Sequence, residues 1–314
     1  MQVPRRVLIT GGAGFIGSHL ARRLAGQGCR VVVLDDFRTG REDSLDGTPV
    51  ELVRGCVTDA GLVREVASGA EVIFHLASLV SVPESLALPE ESVRVNVGGT
   101  LSVLQAARLL GIPRVVFASS AAVYGEAGPE VQGEDLLPAP LSPYGVTKLD
   151  GEHYLEIWRR TFGVGTVSLR FFNVFGPGQA PGGPYGSAVP AFLGRALAGE
   201  DLLVHGDGLQ TRDFVFVSDA VDAYLLAAAT PAMHGALNVG GGAGITILDL
   251  ARQVLRETGS SSRIVHGAPR PGDIRHSVAD TARIAAFGFQ PRTTLAEGLR
   301  QTLQAFQATC RTGT

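Results

Sequence analysis

Cysteine is scarce in this chain. Three occur in 314 residues, Cys29, Cys56 and Cys310, and they are far apart, odd in number and without a CxxC pair. That pattern excludes a disulfide framework and a thiolate zinc site, and it predicts a reducing, cytoplasmic setting. Aromatic residues are few too, with one tryptophan and five tyrosines. None of the seven histidines falls in an HExxH or similar spacing, so no metal is expected. No long run of one charge sign exists and the net charge is -3, which removes a nucleic-acid groove and a surface for anionic membranes. Long hydrophobic runs are missing as well. The most apolar later stretch, 220–229 (AVDAYLLAAA), carries Asp222, is too short to span a bilayer and reads as a buried helix. The opening MQVPRRVLITGG runs straight into a strand-like segment, and no export signal is expected.

What remains is an ordinary globular composition, 45% hydrophobic and 18% charged, with 41 glycines. The length suits two domains, or one large domain with a smaller lobe. Short β-branched runs (RVLIT, RVVVLD, EVIFHLAS, RVVFASS, VSLRFF) alternate with helical patterns at 15–27, 92–110 and 144–162. The runs are continuously apolar, as in a parallel sheet covered by helices on both faces. The expected fold is α/β, a doubly wound parallel sheet with a smaller C-terminal α/β lobe. After about residue 172 the pattern loosens through GPGQAPGGPYG into a helix at 187–199 and a strand LLVHG. We therefore expect a nucleotide-binding domain at 1–172 and a substrate lobe at 173–314, with some later segments returning to the first. There is no internal repeat.

RVLITGGAGFIGSHLARRL sets Gly11, Gly14 and Gly17 at a strand-to-helix turn, where missing side chains let backbone and helix N-terminus approach a pyrophosphate. The next strand ends in Asp35, about 20 residues on, where a carboxylate can bond the adenosine ribose hydroxyls. This is the Rossmann arrangement, and it favours NAD over NADP, although Arg38 leaves NADP open.

In SPYGVTKLDGEH (142–153), Tyr144 and Lys148 stand four apart on a helix and share a face. A tyrosine is a poor base near neutral pH, but a nearby ammonium and a cationic nicotinamide both favour its phenolate. Tyr144 can then take a proton from a substrate hydroxyl as hydride leaves the carbon. Ser120, at the end of RVVFASS, can share that oxygen. Alone, a Tyr-x-x-x-Lys pair is common on any helix and is usually a surface pair.

In this order, glycine loop, strand-end serine and Tyr-Lys pair resemble the extended short-chain dehydrogenases/reductases, and most of all their nucleotide-sugar 4-epimerases. The resemblance covers nearly the whole chain, through TGGAGFIG, HLAS (75–78), NVGGT (96–100), SSAAVYG (119–125), SPYGVTK, LRFFNVFGP (169–177), QTRDFVFV (210–217) and RPGD (270–273). It implies that Ser120, Tyr144 and Lys148 are catalytic. It places Phe15, Ile16, Asp36, Phe37, Cys56, Val57, Leu76, Ala77, Ser78, Asn96, Ala118 and Phe172 along NAD, beside the glycines and Asp35. It also implies a UDP-sugar substrate held by Ala121, Ala122, Asn173, Val189, Leu203, Arg212, Arg270, Asp273 and Ser277. His205 either stacks on the base or is a plain loop histidine.

Related dehydratases carry an Asp-Glu pair and related decarboxylases a glutamate where this chain has Ala121 and Ala122, so elimination lacks its acid. The expectation is C4 oxidation, rotation of the keto-sugar and hydride return, with NAD regenerated each cycle. Departures from the family pattern are Cys56 for an aspartate near the adenine, Val80 for a lysine and Phe214 for a tyrosine. Ser277 stands where a bulky tyrosine narrows the sugar pocket in relatives, which implies room for an N-acetyl group. A UDP-glucuronate epimerase or decarboxylase, with Arg275 near the sugar C6, is the alternative enzyme, and a non-catalytic NAD sensor is the alternative class. The resemblance further implies a homodimer built on the helices near 92–110 and 144–162.

Overall fold

The computed structural model describes residues 4–126, 131–179, 187–270 and 273–312. Six strands open the chain: β1 (Arg6–Thr10), β2 (Arg30–Asp35), β3 (Val50–Arg54), β4 (Val72–His75), β5 (Arg114–Ser120) and β6 (Gly165–Phe171). Between them run helices α1 (Phe15–Gly26), α2 (Ala60–Val66), α3 (Val82–Ala87), α4 (Pro89–Ser92), α5 (Gly98–Leu110) and α6 (Pro143–Phe162). Strands β7 (Asn173–Phe175), β8 (Leu202–His205), β9 (Thr211–Phe216), β10 (Gly235–Val239), β11 (Gly244–Thr246), β12 (Ile264–Gly267) and β13 (His276–Ser277) follow. They are interleaved with helices α7 (Ala188–Leu197), α8 (Val217–Ala229), α9 (Ile247–Thr258), α10 (Ala282–Ala285) and α11 (Leu295–Thr312).

The main sheet is parallel throughout, in the order β10-β6-β5-β4-β1-β2-β3. Alternation along β1 explains why it is apolar at every position. Val7 and Ile9 join one core with Leu20 and Leu24 of α1 and Ala220 and Tyr224 of α8. Leu8, facing the other way, joins Val103 and Leu104 of α5 and Leu155 of α6. β10 pairs with β6 in register from Gly235↔Val167, so a late segment completes the sheet.

The later elements form a second layer. β9 pairs with β7 and β13 in parallel and with β11 antiparallel, while β8 and β12 form a parallel pair. Phe175, Val189, Phe192, Leu250, Val254 and Leu299 make its core. No helix among the described residues is long and apolar enough to cross a membrane.

Two elements differ from the sequence expectation. Periodicity reads a loop after β2, yet β3 lies there; VELVR escapes notice because it is the sheet's edge, where exposed Glu51 and Arg54 are tolerated. The helix expected at 92–110 is interrupted by a π-helical stretch, Val93–Val97, before α5. Its Asn96 turns inward, accepting from Leu79 N at 2.7 Å and donating to Thr147 Oγ1 at 2.9 Å, which widens the turn.

Candidate functional site

The carboxyl ends of the parallel strands open into a cavity of about 910 Å³. Its floor begins at the glycine turn. Gly11 has φ +72°, and a Cβ there would lie 2.6 Å from Ala77 N; one on Gly17 would lie 2.2 Å from Gly11 O. Only glycine allows the strand, the helix and the Leu76-Ala77-Ser78 loop to approach this closely. Gly11, Gly14, Phe15, Ile16 and Gly17 all line the cavity, and Gly14 caps α1 without a side chain. The first-turn amides of α1 thus have room for a phosphate.

Asp35 ends β2 at the same wall. Its oxygens accept from Ala13 N and Phe37 N, both at 2.9 Å, which ties the glycine turn to the loop after β2. Burial raises its pKa, and these N–H bonds oppose the rise. Phe37 sits at φ 58°, unusual for a bulky residue, with the Arg54 guanidinium 4.8 Å from its ring centroid. Arg38, which had left NADP open, is engaged by Glu84 at 2.8 Å and Glu91 at 3.0 Å. A glycine cradle, an anion-binding helix start and a strand-end carboxylate fit NAD.

The candidate catalytic residues Ser120, Tyr144 and Lys148 line the same cavity. α6 starts crisply because Ser142 accepts from Gly145 N at 3.1 Å and Pro143 sits in the first turn. Gly151 lets α6 lie close on β5: a Cβ there would be 2.6 Å from the Phe117 ring. Lys148 is consequently buried, donating to Ala118 O at 2.8 Å, with its nitrogen 5.7 Å from the Tyr144 ring centroid. Burial pulls its ammonium down to about 7. The Tyr144 phenol is raised by burial, while a hydrogen bond from Ser120 opposes the rise. Of the two influences, desolvation is the larger.

A buried chain of bonds braces this end. Ser119 Oγ donates to Glu152 at 2.5 Å, Glu152 pairs with Arg170 through both oxygens at 2.8 and 2.6 Å, and Arg170 reaches Tyr124 OH at 2.9 Å. Tyr124 in turn donates to Asn238 at 2.7 Å, joining α6, β6 and β10. His75 bridges Thr10 and Thr100 at 2.7 and 3.0 Å, and is kept neutral with a pKa near 3 by burial and then by Lys148.

The far end of the cavity is lined by Asn173, Val189, Leu203, His205, Arg212, Arg270 and Asp273. Arg212 is held by Thr211 O at 2.8 Å, Ile274 O at 2.7 Å and the Asp273 carboxylate. Beneath it Asp213 accepts from Gly241, Gly242 and Ala279 N–H groups, and burial lifts its pKa to about 6. Residues 271 and 272 of RPGD lie outside the described residues.

Asp36, Val57, Leu76, Ala77, Ser78, Ala118, Ser120, Tyr144, Lys148 and Phe172 also line the cavity. Six expected residues are not on its wall: Phe37, Cys56, Asn96, Ala121, Ala122 and Ser277. Asn96 is consumed in tethering Leu79 to Thr147. Cys56 accepts from Thr58 Oγ1 at 3.1 Å. Ala121 and Ala122 form a 3-10 turn whose Ala122 N–H donates to Ser120 Oγ at 3.1 Å, so they shape Ser120 rather than the wall. Ser277 is buried in register with Arg212 on the neighbouring strand. Sequence reasoning missed Ala13, His19, Arg22, Gln210 and Tyr224, which do line the cavity. His19 and Arg22 share the α1 face of Phe15, a four-residue then seven-residue step that helical spacing reveals once the cavity is known.

Comparison with known proteins agrees with this geometry. The family model described as "NAD dependent epimerase/dehydratase family" matches residues 7–240. A UDP-glucose 4-epimerase of Mycolicibacterium smegmatis is 38% identical over 309 residues, covering 96% of this chain and 98% of that protein. The solved UDP-N-acetylglucosamine 4-epimerase of Methanobrevibacter ruminantium, in complex with UDP-N-acetylmuramic acid, has a TM-score of 0.95 at 33% identity and covers 98% of this chain and 100% of that one. A UDP-glucose 4-epimerase of Thermotoga maritima solved with UDP-glucose has a TM-score of 0.93 at 34% identity, covering 97% and 99%. With likeness running the length of the chain and the glycine turn, Asp35 and the Tyr144 end in one cavity, the chain belongs to the NAD dependent epimerase/dehydratase family.

Proposed function

We propose that the protein is a UDP-hexose 4-epimerase acting on UDP-glucose and UDP-galactose, with Ser120, Tyr144 and Lys148 as its catalytic residues. The observation carrying this reading is one continuous cavity with Tyr144, Ser120 and Lys148 at one end and Arg212, Arg270 and Asp273 at the other. An arginine fork suits phosphate oxygens, and a diphosphate is an anion that a chain of net charge -3 must attract locally. NAD, when bound, supplies a reversible hydride acceptor for the sugar C4. Tyr144 removes the proton of the C4 hydroxyl, Ser120 holds the phenolate by donating to it, and Lys148 fixes the phenol from the same helix face. The keto-sugar then turns, and Tyr144 returns the proton to its oxygen. Ala121 and Ala122 supply no acid for elimination.

The N-acetyl sugars rank second as substrates, since Ser277 does not line the cavity. The uronate alternative loses support because Arg275 pairs with Asp207 at 2.9 Å and is not on the cavity wall. We also propose a cytoplasmic homodimer, on the exposed Val93, Leu109, Ile157 and Phe162 of the two helical segments, and a division of the chain near residue 172. Incubation with UDP-glucose and UDP-N-acetylglucosamine, followed through the anomeric proton by NMR, tests the main reading; absence of any C4 inversion refutes it. Release of carbon dioxide from UDP-glucuronate would replace it with the alternative.

A further inference from the structure

His75 ends β4, directly before the cavity-lining residues Leu76, Ala77, Ser78 and Leu79, and its buried ring packs on Phe117 with centroids 5.5 Å apart. The hydrogen bonds around it fix where its proton lies. Thr100 Oγ1 stands 2.6 Å from Asn96 O, and a carbonyl only accepts, so the hydroxyl proton of Thr100 is spent there. The 3.0 Å contact between Thr100 Oγ1 and His75 Nε2 is therefore an N–H donated by the ring. Nδ1 of the neutral ring is then bare and accepts from Thr10 Oγ1 at 2.7 Å, while Thr10 Oγ1 accepts from Ala77 N at 3.3 Å. The other tautomer would turn a bare Nε2 towards an oxygen with no proton left to give.

Both ends of this chain of bonds reach the cavity. At one end Thr10 precedes Gly11 and holds the Ala77 amide, the same atom that a Cβ on Gly11 would crowd at 2.6 Å. At the other end Asn96, in the π-helical stretch, takes the Thr100 proton on its carbonyl. Its side chain bonds Leu79 N at 2.7 Å and Leu79 O at 3.1 Å, and it donates to Thr147 Oγ1 at 2.9 Å. Thr147 Oγ1 donates to Tyr144 O at 2.8 Å. An imidazole suits the centre of this chain because it carries a donor and an acceptor on separate edges of one rigid ring, so β1 and α5 are held at a fixed separation.

We propose that His75, locked as the neutral Nε2–H tautomer between Thr10 and Thr100, is a positioning residue that sets the cofactor wall at 76–79 against the Tyr144 end of α6. The inference rests on the reading of Tyr144 as the site of proton transfer. NAD affinity provides a readout that does not depend on C4 inversion.

Nitrogen-15 NMR of the histidine-labelled wild type, with His75 assigned through its contacts to Phe117, should show Nε2 protonated and Nδ1 bare; a protonated Nδ1 overturns the proposal. Thr100→Val keeps the shape of the side chain and removes the acceptor of the His75 N–H. Its kcat should fall about 10- to 100-fold, the cost of a small displacement of reacting groups, with the KM for UDP-glucose within about threefold of wild type. Its dissociation constant for NAD, from calorimetry, should rise about 3- to 10-fold. Thr100→Ser, which restores the hydroxyl, should recover both. A folded Thr100→Val protein with wild-type kcat and NAD affinity overturns the proposal, whatever its thermal midpoint, and so does a loss that serine fails to recover. If the wild type shows no C4 inversion, the reading of Tyr144 fails, and the NAD affinities of the two variants still judge whether His75 positions the cofactor wall.

Discussion

Lys148 is where this fold gives up stability, and the loss can be measured. The side chain is 3% exposed, and burial pulls its ammonium from 10.5 down to about 7. Lys148→Met keeps the length and apolar stem while removing the charge. Below about pH 7 the lysine is charged in both folded and unfolded chains, and the folded state carries the whole desolvation penalty. As pH rises further the folded state releases its proton while the unfolded state keeps it until about 10.5, so the penalty shrinks. Stability of the wild type should therefore climb relative to Lys148→Met by at most about 1.4 kcal/mol per pH unit above about pH 7. The whole penalty is bounded near 5 kcal/mol, and relaxation around the charge reduces it, so we expect the methionine protein to be more stable by about 2 to 4 kcal/mol at about pH 6. Urea midpoints of the two cofactor-free proteins at about pH 6 and about pH 9 supply the comparison. A gap that is the same at both pH values would refute the burial argument, as would a less stable methionine protein at the lower one. Turnover should fall in the methionine protein, as the proposed role of Lys148 requires.

Tyr144→Phe should lower kcat by about a thousandfold while NAD remains bound, which steady-state turnover and cofactor content after gel filtration will show. Arg212→Ala should raise the KM for UDP-glucose by about 10- to 100-fold and change kcat far less, because it removes a charged hydrogen-bonding partner remote from Tyr144; a loss confined to kcat would contradict its place at the diphosphate. Glu152→Gln leaves Arg170 buried without a counter-charge and should destabilise the protein by about 3 kcal/mol or more in urea melts. Joint replacement, Glu152→Leu with Arg170→Met, should recover part of that loss, and no recovery would mean the pair is not the cause.

Features governed by local pattern were legible in the sequence. Continuous apolar runs announced a sheet covered on both faces, and Val7, Leu8 and Ile9 divide between the two cores as that reading requires. The glycine turn was legible because a left-handed Gly11 and a crowded Gly17 have few substitutes. Tyr144 and Lys148 share a helix face by spacing alone. β3 escaped because an edge strand with one wet side lacks the apolar signature of the interior. The bonds of the Asn96 amide to Leu79 and Thr147, 17 and 51 residues away, were not legible, because they depend on the fold.

The residues that escaped share one property: their role depends on partners distant in sequence. Arg38 left the cofactor's phosphate open because a free guanidinium beside Asp35 would welcome NADP. Glu84 and Glu91, 46 and 53 residues further on, take up that guanidinium, which shares the cavity wall with Asp35. Tyr224 shows the converse. Its helix was read as buried, and it is, yet the packing of Phe74 and Phe171 around the ring leaves its buried hydroxyl without a partner among the described residues. Spacing along the chain can therefore nominate Tyr144 as a candidate for proton transfer, while the partners that engage Arg38 or leave Tyr224 without one are decided by tertiary packing.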